Sequence, residues 1–129
     1  MRAKTILLLA GLAGTSGVIA GSLTAHLHHA AEDAALLETA VRYHMYHALA
    51  LLGLAALAAQ NAPAEARTGK WLIAATWLFV AGIVFFSGGL YIRAEFGHTP
   101  LDPIVPVGGL SFVTGWLALV RGAFQRGER

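Results

Sequence analysis

The sequence predicts an all-α protein: an antiparallel four-helix transmembrane bundle that forms one integral membrane domain over residues 1–129. The first observation behind this is composition, since 57% of the residues are hydrophobic and only 12% are charged. Soluble domains carry about 25% charged residues. The second observation is that the apolar residues form four blocks, and each block reaches the roughly 20 residues that a bilayer-spanning helix needs.

The four predicted spans are separated by short connections. They cover Thr5–Leu27, Glu38–Gln60, Trp71–Arg93 and Pro103–Phe124. The first span has a competing interpretation as a cleavable signal peptide, because Arg2 and Lys4 precede it. Its apolar run is longer than a typical signal peptide core, which favours a retained span.

The connections carry turn-forming or polar residues. Residues 61–70 contain Pro63 and Gly69, as a turn should. Residues 28–37 are rich in alanine and acidic side chains, and we expect a short interfacial helix there. Asp102 and Pro103 form a suitable N-cap and first-turn pair for the fourth span. Pro106 removes a backbone hydrogen bond, which predicts an irregular first turn.

The distribution of charge predicts the orientation. Short loops rich in Lys and Arg remain in the cytoplasm. Seven of the nine basic residues fall on one side of the four-span arrangement, and that side carries both termini. We therefore predict a multi-pass protein of the bacterial inner membrane with both termini cytoplasmic. Membrane orientation also accounts for the high isoelectric point, so no nucleic-acid partner is predicted. The seven residues are Arg2, Lys4, Arg67, Lys70, Arg121, Arg126 and Arg129.

Small residues recur at helical spacing on the first and fourth spans. Such ridges allow close helix approach, either within the bundle or against a second protein. The packing positions predicted from this pattern are Gly17, Gly21, Gly108, Gly109 and Gly115.

Polar residues inside the spans all lie in the outer halves, which predicts a polar cup facing the periplasm. His44 and His47 lie at i, i+3, Tyr43 lies four residues before His47, and Ser87 lies four before Tyr91. His47 and Ser87 lie at similar depth and could meet. The predicted cup residues are His26, Arg42, Tyr43, His44, His47, Ser87 and Tyr91.

Three roles could use this cup. His26, His44 and His47 are candidate ligands for copper, zinc or haem iron. A proton relay or transport path is a second role, although the inner halves of the spans carry almost no polar groups to continue it. The third role is structural: Arg42 pairs with Glu38 or Asp102, and the His and Tyr side chains bond between helices. The chain has no cysteine, which excludes thiolate catalysis and cysteine metal sites. No catalytic constellation is visible, and no cofactor is predicted.

Four segments in order resemble the bacterial membrane proteins grouped as domain of unknown function 423, whose eukaryotic relatives are called transmembrane protein 256. The segments are GSLTAH (21–26), AVRYHMYHALALL (40–52), FFSGGLYI (85–92) and PIVPVGGLSFVTGW (103–116). The resemblance implies a four-helix protein of the bacterial inner membrane and implies no activity. His26 and His47 match histidines of the family pattern. His44 stands where Gln is more familiar, and Gly89 stands for the second Ser of F-S-G-S-L-Y.

From these observations we expect a non-enzymatic structural or accessory subunit that packs against a larger membrane complex, or against itself, through glycine-rich faces. The alternative is a protein that holds a metal, a haem or a quinone head group through His26, His44 and His47.

Overall fold

The computed structural model describes residues 1–26, 30–60 and 69–127, with side chains described as far as residue 124. The expected turn around Pro63 and the basic residues Arg67, Arg126 and Arg129 lie outside these described side chains. Most of the described residues are helical, and the connection over residues 97–103 is a turn. The elements are α1 (Ala3–His26), α2 (Ala31–Gln60), α3 (Lys70–Gly82), a π-helical turn (Ile83–Ser87), α4 (Gly88–Phe96) and α5 (Ile104–Gly127).

The predicted four-helix fold is confirmed, because α3, the π turn and α4 run on as one helix over Lys70–Phe96. Among the described residues, three helices are long and apolar enough to cross a membrane: Ala3–His26, Lys70–Phe96 and Ile104–Phe124. The helix α2 is 30 residues long but is not among these three. Its first half carries charged residues, histidines and tyrosines, which lower its hydropathy.

The expected interfacial helix before the second span is wrong as a separate element. Helix α2 begins at Ala31 and continues without a break through Glu38. Glu32 and Asp33 lie in its first turn, where carboxylates interact favourably with the unpaired N–H groups and the positive end of the helix dipole. The charged segment is therefore a rigid extension of the second span.

The connection between α4 and α5 is a tight turn. Gly97 ends α4 at φ 72° and ψ −156°, a region that essentially only glycine adopts, and its N–H donates to the Arg93 carbonyl at 2.8 Å. The amide of Ile104 then bonds the carbonyl of Leu101 at 2.9 Å. Helix α5 starts at Ile104, and the amide of Val105 likewise bonds a carbonyl three residues back, that of Asp102 at 3.2 Å, so tighter turns than α-helical ones lead into the helix. Pro106 lies early enough in α5 that the N–H it lacks would have had no partner within the helix.

The apolar core lies at the end of the bundle where α1 and α3 begin and α2 and α5 end. Its fully buried members include Ile6, Leu51, Ala75 and Phe79. Helix α1 packs mainly on α2, and α3 packs mainly on α5. Lys70 and Arg121 both lie over the Trp71 ring, 5.3 and 6.0 Å from its centroid, so basic residues gather at this end.

The outside of the bundle is apolar. Leu12 is 70% exposed and Leu110 is 65% exposed, and twenty further large hydrophobic side chains are exposed among the described residues. A soluble protein rarely presents a continuous apolar surface of this kind. Together with the three long apolar helices, this surface identifies an integral membrane protein, whose outer side chains lie in lipid.

Candidate functional site: two buried histidines

His47 lies in the middle of the bundle with only 4% of its surface exposed. Its Nδ1 lies 2.7 Å from the Tyr43 carbonyl oxygen, and the indole Nε1–H of Trp116 donates to its Nε2 at 3.2 Å. A carbonyl only accepts and an indole N–H only donates. The hydrogen of the neutral ring is therefore assigned to Nδ1, and both ring nitrogens are already bonded within the protein.

Aromatic rings enclose the same imidazole. The Phe112 ring stacks on His47 with a centroid distance of 3.5 Å and an angle of 10° between the planes. Phe79 lies at 5.1 Å and Tyr43 at 6.3 Å. This packing fixes the ring plane, so His47 joins α2 to α5 both by a hydrogen bond and by ring stacking.

His44, which is 5% exposed, makes a separate set of contacts. Its Nε2 lies 3.3 Å from the Ser16 hydroxyl oxygen, and its Nδ1 lies 3.1 Å from the Tyr91 hydroxyl. The Ser16 hydroxyl donates to the Leu12 carbonyl at 2.8 Å, so its oxygen is left to accept from His44. The hydrogen is therefore assigned to Nε2, with Tyr91 donating to Nδ1, which is the opposite tautomer to that assigned to His47. His44 connects α1, α2 and α4.

Ser87 does not meet His47 through a hydrogen bond. Its side chain is fully buried in the π turn, and its hydroxyl has no partner among the described residues. A π-helical turn shifts the backbone register by one residue, and such turns occur frequently at functional sites. The α5 backbone packs closely here, because a Cβ at Gly108 would collide with the backbone of Phe85 and Phe86.

The seven predicted cup residues lie in several places instead of one cavity. His26 is exposed at the end of α1, and Tyr43 is 40% exposed. Arg42 pairs with Glu38 and not with Asp102. Among these seven residues, His44 and Tyr91 share a hydrogen bond between side chains. Tyr43 and His47 are joined by ring stacking and by the bond to the Tyr43 carbonyl.

The three candidate metal ligands are not gathered on one centre. In the part of the chain that the structure describes, no group of three or more His, Cys, Asp or Glu side chains could hold a metal ion. His44 and His47 also use both ring nitrogens for contacts inside the bundle.

Sequence reasoning missed a polar cluster in the turn before α5. The Asp102 carboxylate bonds His98 Nδ1 at 2.7 Å and accepts from the Thr99 amide at 3.2 Å, with Arg93 at 4.0 Å. The hydrogen bond from His98, followed by that from the Thr99 amide, lowers the pKa of Asp102. The i, i+4 spacing of His98 and Asp102 was available as a signal, but both residues lie outside the predicted spans. The Asp102 side chain therefore bonds residues that precede it in the turn. The predicted N-cap hydrogen bond from this side chain to the first turn of α5 is not among its contacts.

The predicted packing glycines differ in how tightly they are enclosed. A Cβ at Gly17 would meet Met45 and one at Gly115 would meet the Phe79 ring, so both lie at close helix contacts. A Cβ at Gly21 would lie 3.3 Å from Val41. At Gly109 it would make only ordinary contact with the Phe86 ring, at 3.6 Å.

A family model described as "Protein of unknown function (DUF423)" matches residues 20–109, which is more than half of the chain. The chain belongs to the DUF423 family. The resemblance seen in the sequence is thereby confirmed.

DUF423 relatives carry names that record their location and no activity. A UPF0382 membrane protein of Staphylococcus saprophyticus is 35% identical over 125 residues, covering 95% of this chain and 98% of its own. The UPF0382 membrane protein YwdK of Bacillus subtilis is 41% identical, with 67% of each chain covered. The UPF0382 inner membrane protein YgdD of Escherichia coli is 33% identical, covering 97% of this chain and 93% of its own. No solved structure matches this chain at a significant level.

Proposed function

We propose that this protein is a non-enzymatic accessory subunit of the inner membrane, held in the bilayer against a larger membrane protein. The observation that carries the proposal is a face of α1 that the bundle leaves open. This α1 outer face consists of Leu7, Gly11, Gly14 and Val18, spaced at helical intervals. A Cβ at Gly11 or Gly14 would meet nothing within 4 Å among the described residues.

Glycines at this spacing let a second helix approach closely, because no side chain keeps the backbones apart. The glycines that we first expected to bind a partner do not support that role. Gly17 and Gly115 lie against side chains of this chain itself. The α1 outer face is therefore a better candidate than the ridges identified from sequence.

A non-enzymatic role is supported by what the buried polar groups already do. The ring nitrogens of His44 and His47 are bonded to groups on other helices or on α2 itself. A group that bonds its neighbours on both sides holds helices together and is not free to take a substrate proton. The same contacts give less support to the alternative, a metal, haem or quinone held by His26, His44 and His47.

The location and orientation are part of the proposal. The Escherichia coli relative is named an inner membrane protein. Four basic residues lie at one end of the bundle: Arg2 just before α1, Lys4 and Lys70 in the first turns of α1 and α3, and Arg121 near the end of α5. The acidic Glu32, Asp33 and Asp102 are at the other. By the positive-inside rule the basic end, with both termini, faces the cytoplasm.

The test is a pull-down of tagged protein from native membranes in mild detergent. We expect one membrane protein to co-purify in a fixed ratio, and we expect Gly14→Leu on the α1 outer face to reduce that ratio. The matched control is Gly53→Leu on α2, which also fills open space among the described residues. Recovery of the chain alone, or equal recovery of a partner with Gly14→Leu, would contradict the proposal.

The ligand-binding alternative is tested on the same sample. Metal content and the optical spectrum are measured for the wild type and for His47→Ala. Stoichiometric metal or haem that the substitution removes would favour the alternative over the accessory role.

A further inference from the structure

A groove of about 330 Å³ opens between α1 and α2 at the end of the bundle away from the apolar core. Small or apolar side chains form much of it, including Gly21, Ala25 and Leu37, and the polar side chains are Thr24, Glu38 and Arg42. Below the groove the two helices touch, since a Cβ at Gly21 would lie 3.3 Å from Val41. The groove therefore has a closed floor at the depth where the predicted second span begins.

The two charged side chains in the groove form an ion pair with each other. Glu38 and Arg42 lie at i, i+4 and bond each other, with 71% and 49% of their side chains exposed. An exposed ion pair of this kind contributes little to stability, so a ligand can share both charges at little cost. Thr24 donates its hydroxyl hydrogen to the Gly21 carbonyl at 2.9 Å, which leaves its oxygen free to accept a hydrogen bond.

We propose that the α1–α2 groove binds the phosphoethanolamine headgroup of a membrane phospholipid. Arg42 binds the phosphate, and Glu38 and the Thr24 hydroxyl oxygen accept hydrogen bonds from the primary ammonium. A headgroup with one negative and one positive charge matches a neutral pair of side chains, whereas an anionic headgroup leaves Glu38 opposed by a like charge.

The direction of the pair fits the way a phospholipid sits in a bilayer. In α2, Arg42 is nearer than Glu38 to the middle of the predicted span, by about 6 Å of helix rise. The phosphate of a phospholipid is attached to the glycerol that carries the acyl chains, so it lies on the membrane side of the ammonium. The acyl chains then run along the exposed apolar surface of α1, where Ile19 and Leu23 are 54% and 56% exposed.

Ammonium hydrogens are what separate this headgroup from choline. Carboxylate and hydroxyl oxygens accept hydrogen bonds from a primary ammonium, which has three N–H donors, while a trimethylated nitrogen has none. Hydrogen bonds to charged groups contribute about 1.5–3 kcal/mol, so we expect retention of the ethanolamine lipid to exceed that of the choline lipid by about tenfold or more.

The experiment places the whole chain in nanodiscs that contain equal amounts of phosphatidylethanolamine, phosphatidylcholine and phosphatidylglycerol with identical acyl chains. Native mass spectrometry after release counts the lipids that remain bound. We expect phosphatidylethanolamine to be enriched for the wild type, and we expect the enrichment to disappear in the double variant Glu38→Gln, Arg42→Gln. Glu32→Gln removes one carboxylate from the same helix outside the groove and should keep it.

A reversed pair, Glu38→Arg with Arg42→Glu, tests the direction. It keeps the net charge and the ion pair, so it should remain folded but lose the enrichment. Equal helical circular dichroism and thermal midpoint across the variants exclude misfolding as the cause. The inference would be overturned by equal retention of phosphatidylcholine or by enrichment of phosphatidylglycerol. It would also be overturned if the reversed pair still enriched phosphatidylethanolamine. Displacement by soluble glycerophosphoethanolamine at equal concentration would overturn it too. None of these variants alters the α1 outer face, so the accessory role can fail or hold independently.

Discussion

Gly108 and Gly109 are adjacent on α5, were both predicted to be packing residues, and have very different surroundings. A Cβ at Gly108 would collide with backbone atoms of Phe85 and Phe86 in the π turn. A Cβ at Gly109 would lie 3.6 Å and 3.8 Å from two atoms of the Phe86 ring, which is ordinary van der Waals contact. We therefore predict that Gly108→Ala destabilises the bundle and that Gly109→Ala does not.

The expected change in unfolding free energy for each variant follows from two opposing effects. Overpacking costs about 1–3 kcal/mol, and the upper end applies at Gly108 because backbone atoms cannot rotate away as a side chain does. Replacing glycine by alanine within a helix gains up to about 1 kcal/mol from propensity. Gly108→Ala should therefore lose about 2 kcal/mol of unfolding free energy, while Gly109→Ala should be neutral or gain up to about 1 kcal/mol.

The assay is reversible unfolding of the reconstituted chain, followed by tryptophan fluorescence or by steric trapping. Both variants are measured beside the wild type in the same lipid. Because the two substitutions share helix, depth and chemistry, their difference isolates the close contact with the π turn. Equal free energies for the two variants would refute the geometry of the α5 contact and the reasoning built on it.

Three further predictions concern single polar groups. Trp116→Phe removes the donor to His47 Nε2 and should cost about 1–3 kcal/mol of unfolding free energy. In the wild type, ¹⁵N NMR should show the Nδ1–H tautomer at His47. A protonated Nε2 would contradict the tautomer assignment. Ser87→Ala should be neutral or stabilising by about 1 kcal/mol, because the buried hydroxyl has no partner among the described residues, and a marked loss of stability would reveal one. His98→Ala should raise the pKa of Asp102 in a ¹³C NMR titration, since the His98 hydrogen bond is the largest cause of its lowering. The stability that Asp102 contributes is complete above the pKa of an unfolded aspartate, about 4, and is lost as the pH falls through its lower folded pKa. An unchanged Asp102 pKa in His98→Ala would rule out the His98 hydrogen bond as the cause of the lowering.

The fold was predictable because hydropathy and loop charge depend only on the order of residues along the chain. Four apolar blocks separated by short connections leave a bundle as the natural arrangement, and the helices found lie within a few residues of three of the predicted spans. The partners of the histidines were not predictable, because they depend on the rotation of each helix about its axis. His47 bonds Trp116, 69 residues away on α5, and no spacing rule connects those two positions.

The π turn and the groove were also beyond sequence reasoning. A single extra residue in a helical turn leaves no mark in hydropathy, although the glycines at 88 and 89 that follow Ser87 suggest a local weakness. The groove depends on the distance between α1 and α2 beyond Gly21, and that distance follows from the packing of the helices in three dimensions. The Glu38–Arg42 pair itself was predictable, because i, i+4 spacing fixes it within one helix.

The two buried histidines draw their hydrogen-bond partners from both halves of the chain. A pair of α1 and α2 alone would contain Ser16 for His44 and the Tyr43 carbonyl for His47, but neither Tyr91 nor Trp116. Each imidazole would then hold one unsatisfied nitrogen, for which the lipid hydrocarbon offers no hydrogen-bonding group. The second half of the chain supplies the missing hydroxyl and indole. The two unsatisfied ring nitrogens would therefore favour association of the first half of the chain with the second half. Without the second half, they would remain two polar sites exposed to lipid.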